Sequence, residues 1–354
     1  MQCSRLPGAL FLTAIKKRGV QYHTGAKFIP VRTNMKGTVN TSTSFSLASK
    51  VKDYFQLIKF TLSFTVVFSC VICYLLAPNV VEYDWWMIFL LFVAGMLITG
   101  SANAINQAVE KDTDAMMKRT ASRPVADGRM SQQEAYTFAT LAGSVGVFMI
   151  GWFFTTDENA FNWNAALLSA FSLFLYAFIY TPLKKINSIA VLVGAFPGAL
   201  PCLIGWVAAT NMLNPLGTVV ANGKEFSNVG GWILFAIQFL WQFPHFWAIA
   251  WVAHGDYSKA GFKLLPADKG PTRFTAVQGI MYSVLMIPVG ILPYYFGMTG
   301  QVSMWILVVC NLFMVFQSLR LYKEMNAKAA RRVMFSSYIY LPIVLLALLA
   351  DKIR

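Results

Sequence analysis

The sequence predicts an all-α polytopic membrane protein, and three observations carry that prediction. Apolar residues make up 57% of the 354-residue chain, and its mean hydropathy is +0.55. Charged residues make up only 12%, about half the share of a soluble domain. The apolar residues also fall into about nine windows of roughly twenty, the length that crosses a bilayer as a helix.

The expected spans run Tyr54–Ala77, Trp85–Val109, Gln133–Phe154, Asn162–Tyr180, Ser188–Ala208, Gly230–Val252, Thr275–Phe296, Val302–Leu321 and Val333–Leu349. Proline, glycine and charge clusters separate them. Around the loops after spans two, four, six and eight stand Lys111, Lys118, Arg119, Arg123, Arg129, Lys184, Lys185, Lys259, Lys263, Lys269, Arg273, Arg320, Lys323, Lys328, Arg331 and Arg332. The loops after the other spans hold only Lys224. That one-sided bias places the N-terminus on the basic side and the C-terminus opposite. One missed or invented span would scramble the alternation.

Residues 1–50 differ in kind: they hold Arg5, Lys16, Lys17, Arg18, Lys27, Arg32, Lys36 and Lys50, are rich in Ser and Thr, and no acid precedes Asp53. This is the composition of a mitochondrial transit peptide; a basic tail on anionic lipid is the alternative. The expected organisation is therefore a leader over 1–50 and a membrane domain over 51–354, in the mitochondrial inner membrane with basic loops facing the matrix. The formal charge of +14 then reflects import and topology, not nucleic acid. Cys70 and Cys73 form a C-x-x-C without a second pair, so the cysteines read as packing residues.

Chemistry concentrates where the second span ends. In a continuing helix, Asn106, Glu110 and Asp114 fall at i, i+4 and i+8 and share one face, while Asp112 points away. Two carboxylates and an amide oxygen suit Mg²⁺, which leaves further positions to substrate phosphates. Lys118, Arg119 and Arg123 follow as phosphate-binding cations, and Pro124 ends the helical pattern. Boundary charges neutralised in pairs would explain any one of these residues, but less readily the whole set at this spacing.

These residues carry a resemblance. The spacing N-x-x-x-E-x-x-x-D-x-x-M-x-R-T-x-x-R-P, filled by Asn106, Glu110, Asp114, Met117, Arg119, Thr120, Arg123 and Pro124, resembles the first signature of the UbiA-type intramembrane prenyltransferases. More narrowly it resembles their haem-farnesylating branch. "YTPLKKINSIAVLVGAFPGALPCLIGW" from Tyr180, "WQFPHFWAIAW" from Trp241 and "DYSKAGFKLLP" from Asp256 match the same branch, and the likeness runs from Asp53 to Leu349. It implies a nine-span bundle with farnesyl diphosphate and haem b as substrates, Mg²⁺ on the diphosphate, and haem O as product for haem A synthesis. A homo-oligomer or a haem A synthase is the partner implied.

A second polar loop, "HGDYSKAGFKLLPADKG", lies on the same basic side four helices later, as two related halves would place it. Asp256 is the candidate carboxylate there and an expected third metal ligand beside Glu110 and Asp114. Lys259 and Lys263 are expected to neutralise diphosphate. Many superfamily members carry a second Asp where this chain has Ala260, which favours haem over an aromatic acceptor; Asp268 reads as a loop acid.

His245 lies inside the sixth span, where a histidine is a functional candidate. Two readings stay open: a ring nitrogen on haem iron, or a histidine hydrogen-bonded to another helix among aromatic neighbours. His254, at the loop, is a candidate for diphosphate or a haem propionate, and Lys184 for direct substrate contact. Two rival functions share parts of this pattern: an aromatic (4-hydroxybenzoate) polyprenyltransferase of ubiquinone synthesis, and a secondary transporter. Charges clustered at one membrane face, not at midplane, favour phosphate chemistry.

Overall fold

Without water in the bilayer, a spanning backbone must satisfy its own hydrogen bonds, and a helix does so within one segment. The computed structural model describes residues 47–155, 160–267 and 270–353. Most of the basic leader, with His23, lies outside the described residues, as does Asp268. Among the described residues, eight helices are long and apolar enough to cross a membrane, and a bent helix pair brings the number to nine when it is counted as one span. The chain is a multi-pass, all-α membrane protein.

The first span departs from the continuous helix expected over Tyr54–Ala77. Two helices, α1 (Leu47–Leu57) and α2 (Phe60–Leu76), meet at 53°. Lys59 makes the break with φ 49° and ψ 57°, a left-handed conformation that costs a side-chain-bearing residue energy. Polar contacts hold α1 in place: Asp53 pairs with Arg129 at 2.9 Å, and Lys50 with Glu134 at 3.0 Å.

From there α3 (Trp85–Val109) leads into the short α4 (Lys111–Met116). It is followed by α5 (Gln132–Phe153) and α6 (Trp163–Phe174), which continues through a π-helical turn (Leu175–Tyr180) into α7 (Thr181–Leu183). Helix α8 (Ala190–Thr210) precedes a hairpin, β1 (Thr218–Ala221) and β2 (Lys224–Ser227). Its turn is Asn222–Gly223, both with positive φ, the sequence that two-residue hairpins favour. Helix α9 (Gly230–Val252), short α10 (His254–Lys259), α11 (Arg273–Tyr295), α12 (Gln301–Glu324) and α13 (Ala327–Ala350) complete the order.

Starts are capped by short polar side chains: Asp84 accepts from the Trp86 and Met87 N–H groups, Ser131 from Glu134, Asn162 from Ala165 and Asn326 from Ala329. Each satisfies an N–H that the helix leaves free. Helix α2 packs on α3, α8 and α13, and α13 on α9, which closes the bundle. The most buried spans are α8 and α9. Both contain prolines, and carbonyls of the proline-bearing stretch of α8 accept side-chain donors: Ser172 bonds Pro197 O, Gln238 bonds Gly198 O and Gln242 bonds Ala195 O. Pro201 has no N–H to offer the Pro197 carbonyl, and the Ser172 hydroxyl reaches it instead at 3.4 Å.

Candidate active site

The end of α3 positions the first residues. The helix breaks at Glu110 (φ −95°, ψ 14°), so the single helix expected through Asp114 is interrupted. The backbone nonetheless bonds Glu110 N to Asn106 O at 3.0 Å and Asp114 N to Glu110 O at 2.7 Å. Two i,i+4 bonds keep the three residues in register across the break. Asn106, Glu110 and Asp114 are 2%, 3% and 1% exposed, whereas Asp112 is exposed.

Each of the three meets a cation. Arg123 donates to both oxygens of Asp114, at 2.8 and 2.7 Å. A single guanidinium nitrogen, Nη1, makes both contacts, a charge-assisted pairing, and the turn that delivers it is closed by Thr120 Oγ1 on Asp114 O at 2.8 Å. Lys184 Nζ stands 2.6 Å from Glu110 Oε1, a close buried ion pair. Lys59 donates to Asn106 Oδ1 at 2.8 Å.

Loop contacts hold Lys184. Its ammonium lies 4.9 Å from the Tyr180 ring centre and 5.4 Å from that of Phe262, and its carbonyl accepts from Lys263 N at 2.8 Å. Burial pulls Lys184 below the usual lysine range, opposed by the carboxylates of Glu110 and Asp114. The loop after α9 meets the loop after α3 through Met117, Ala260 and Phe262, which form one buried cluster. Arg119 is exposed and donates to Tyr257 Oη at 3.3 Å. Burial raises the Tyr257 hydroxyl, with Arg119 and Arg123 opposing.

A cavity of about 560 Å³ extends between the spans. Tyr176, Tyr180, Gln238, Gln242 and His245 line it among apolar side chains, and so does Asn103, one turn before Asn106. The charged cluster and the apolar cavity thus share Tyr180 and the end of α3. The π-helical turn puts Tyr176 and Tyr180 in ring contact at 5.3 Å; such irregular turns concentrate at functional sites.

His245 bonds another helix, α13, among aromatic neighbours. Ser337 Oγ donates to Met334 O at 2.6 Å, and His245 Nδ1 lies 2.8 Å from that same Oγ. With the Ser337 proton committed to the carbonyl, Nδ1 must be the donor, which leaves Nε2 as the lone-pair nitrogen. Trp241 stacks on the ring at 4.7 Å.

The remaining candidates lie apart. Lys118 and Lys259 are exposed. His254 and Lys263 line a separate cavity of about 220 Å³, where His254 is 3.4 Å from Ser258 Oγ. Asp256 is partly buried on α10. Among the described residues, no three Asp, Glu, His or Cys side chains are close enough to hold a metal. Of the expected ligand set, Glu110 is paired with Lys184 and Asp114 with Arg123, and Asp256 stands on α10. Sequence reading missed Lys59, a lone lysine in an otherwise apolar run, and Tyr257, whose role depends on loop contact.

The family model described as UbiA prenyltransferase family matches residues 66–340. A curated relative from Cytophaga hutchinsonii, named protoheme IX farnesyltransferase, is 44% identical over 310 residues, 87% of this chain and 100% of the relative. Among solved structures, a digeranylgeranylglyceryl phosphate synthase superposes with TM-score 0.66 at 21% identity, covering 86% of this chain and 98% of that one. A UbiA homolog from Archaeoglobus fulgidus bound to GPP and Mg²⁺ does so with TM-score 0.55 at 13% identity, covering 84% and 99%. At these identities the solved structures speak for the fold alone.

Proposed function

The chain belongs to the UbiA prenyltransferase family, and from that premise we propose that it farnesylates protohaem IX. A farnesyl group passes from farnesyl diphosphate to a haem vinyl group, giving haem O and diphosphate. The observation that carries this reading is a buried cluster of carboxylates and cations that shares Tyr180 with an apolar cavity containing His245. The protoheme IX farnesyltransferases at 38–44% identity favour haem over an aromatic acceptor.

The donor set fits Mg²⁺. Glu110 and Asp114 are buried carboxylates, and Asn106 adds a buried amide oxygen beside them. Two carboxylates with substrate phosphates filling other positions is the usual Mg²⁺ arrangement. Mg²⁺, when bound, supplies Lewis-acid neutralisation of the leaving diphosphate.

The chain's own residues do the rest. Arg123 and Lys184 pass from Asp114 and Glu110 to diphosphate oxygens on binding, with Arg119 and Lys59 at their sides; charge then in place needs no further reorganisation as the allylic C–O bond breaks. The electron pair of that bond leaves with the diphosphate. The cavity keeps water from the farnesyl cation while the vinyl π pair forms the new C–C bond. Tyr176 and Tyr180 offer ring faces that stabilise a cation by about 0.5 to 2 kcal/mol each. Water then adds to the cation left on the haem side chain and yields its proton to the diphosphate. His245 Nε2 positions the haem through its iron.

Incubating purified protein with haem b, farnesyl diphosphate and Mg²⁺ is expected to shift the haem mass by one farnesyl group plus one hydroxyl. Unchanged haem, with 4-hydroxybenzoate prenylated instead, would transfer the assignment to quinone synthesis. Separately, His245→Ala is expected to weaken haem b binding by about tenfold or more, one step of roughly 1.4 kcal/mol, and to leave farnesyl diphosphate binding unchanged. An unaltered Soret titration returns His245 to packing. Lys118, Lys259, Lys263, His254 and Asp256 border the diphosphate and haem carboxylates in this reading. The acid-free leader supports residence in the mitochondrial inner membrane with the site facing the matrix, where a haem A synthase would take up the product.

A further inference from the structure

All three oxygen donors of the carboxylate ridge are occupied by cations of the chain itself. Lys59 takes Asn106 Oδ1 at 2.8 Å, Lys184 approaches Glu110 Oε1 to 2.6 Å, and Arg123 grips both Asp114 oxygens. They arrive from three separate places: the break between α1 and α2, the end of α7, and the turn after α4. Three basic side chains face two carboxylates, an excess of positive charge when all three are protonated. Lys59 reaches its position only through a left-handed backbone, and strain of this kind persists where the surroundings enforce it.

A bare divalent cation entering this cluster would meet that excess charge. It would also have to displace an ammonium or guanidinium from a buried oxygen and leave it unpaired, which is costly away from water. A diphosphate removes both obstacles, because its oxygens accept the displaced cations and its charge offsets the metal's.

We propose that Lys59, Lys184 and Arg123 are internal counter-ions that hold the metal ligands closed until diphosphate arrives, so that metal and diphosphate bind as a unit. The proposal rests on the diphosphate site read above. Coupling of this kind is reciprocal: diphosphate raises metal affinity by the factor by which metal raises diphosphate affinity. The ionising machinery thus assembles only around its substrate.

Mn²⁺ paramagnetic resonance on purified, detergent-solubilised protein tests this, with inorganic pyrophosphate as the probe and Glu110→Ala as the control for Mn²⁺–pyrophosphate in free solution. Wild-type protein is expected to bind Mn²⁺ at least about tenfold more tightly with pyrophosphate than without, within the usual range of coupling. Lys184→Met and Lys59→Met are each expected to tighten binding of Mn²⁺ alone by about tenfold and to reduce the coupling, while Lys184→Arg retains it. Melting curves check that each variant is folded. Equal wild-type affinity with and without pyrophosphate overturns the proposal, as does unchanged Mn²⁺ affinity in folded methionine variants. Haem farnesylation by the same preparation separates the two readings. Haem O formed by protein that lacks the coupling discards the counter-ions alone, whereas intact coupling without haem O discards the farnesylation reading and leaves the counter-ions standing.

Discussion

Replacing Glu110 or Asp114 with alanine is expected to lower haem farnesylation by about 10²- to 10³-fold, the cost of removing one preorganised group that stabilises transition-state charge. The ridge places both carboxylates within the protein, 3% and 1% exposed, so neither has a solvent-facing substitute. Alanine also strands a partner: Lys184 loses Glu110, or Arg123 loses Asp114, and an unpaired buried charge destabilises the fold. Glu110→Gln and Asp114→Asn keep the volume and remove the charge, and they are expected to lose nearly as much activity. Turnover is read from haem O formed per unit of folded protein, with membrane insertion scored separately. Near-normal turnover in Glu110→Gln would place the metal and the diphosphate elsewhere.

The ridge was legible in the sequence because i,i+4 spacing depends only on helix geometry. It survived even though the helix breaks at Glu110, since the two backbone bonds across the break preserve the register. The span pattern was legible for a similar reason: hydropathy and the one-sided placement of Lys and Arg are set by the bilayer, not by tertiary detail. Lys59 was hidden because its role depends on a left-handed backbone, and nothing in "LIKFTLSF" marks one. The π-helical turn that joins Tyr176 to Tyr180 has no local sequence signature either. The neighbourhood of Asp256 was not legible, because loop-to-loop distance is decided by packing. There Met117, Ala260 and Phe262 bury the loops against each other.

Gly205→Ala is expected to cost the fold about 3 kcal/mol, the upper end of the usual penalty for overpacking, with the larger Gly205→Val worse. A Cβ on Gly205 would overlap the Cys70 carbonyl oxygen and lie 3.0 Å from Tyr74 N. These are backbone atoms of α2, which cannot rotate away as the end of a side chain can. Lipid offers helices no hydrophobic drive to associate, so close backbone approach through small residues carries much of their attraction. Forcing α8 from α2 would loosen the wall of the cavity to which Cys70 and Ile204 both contribute. Gly279 on α11 supplies the contrast, since a Cβ there meets nothing within 4 Å. Gly279→Ala is therefore expected to stabilise the helix by about 0.5 to 1 kcal/mol. Thermal unfolding in detergent distinguishes the two substitutions by opposite signs. A Gly205→Ala protein that melts with the wild type would mean that α2 and α8 stand further apart than the structure places them.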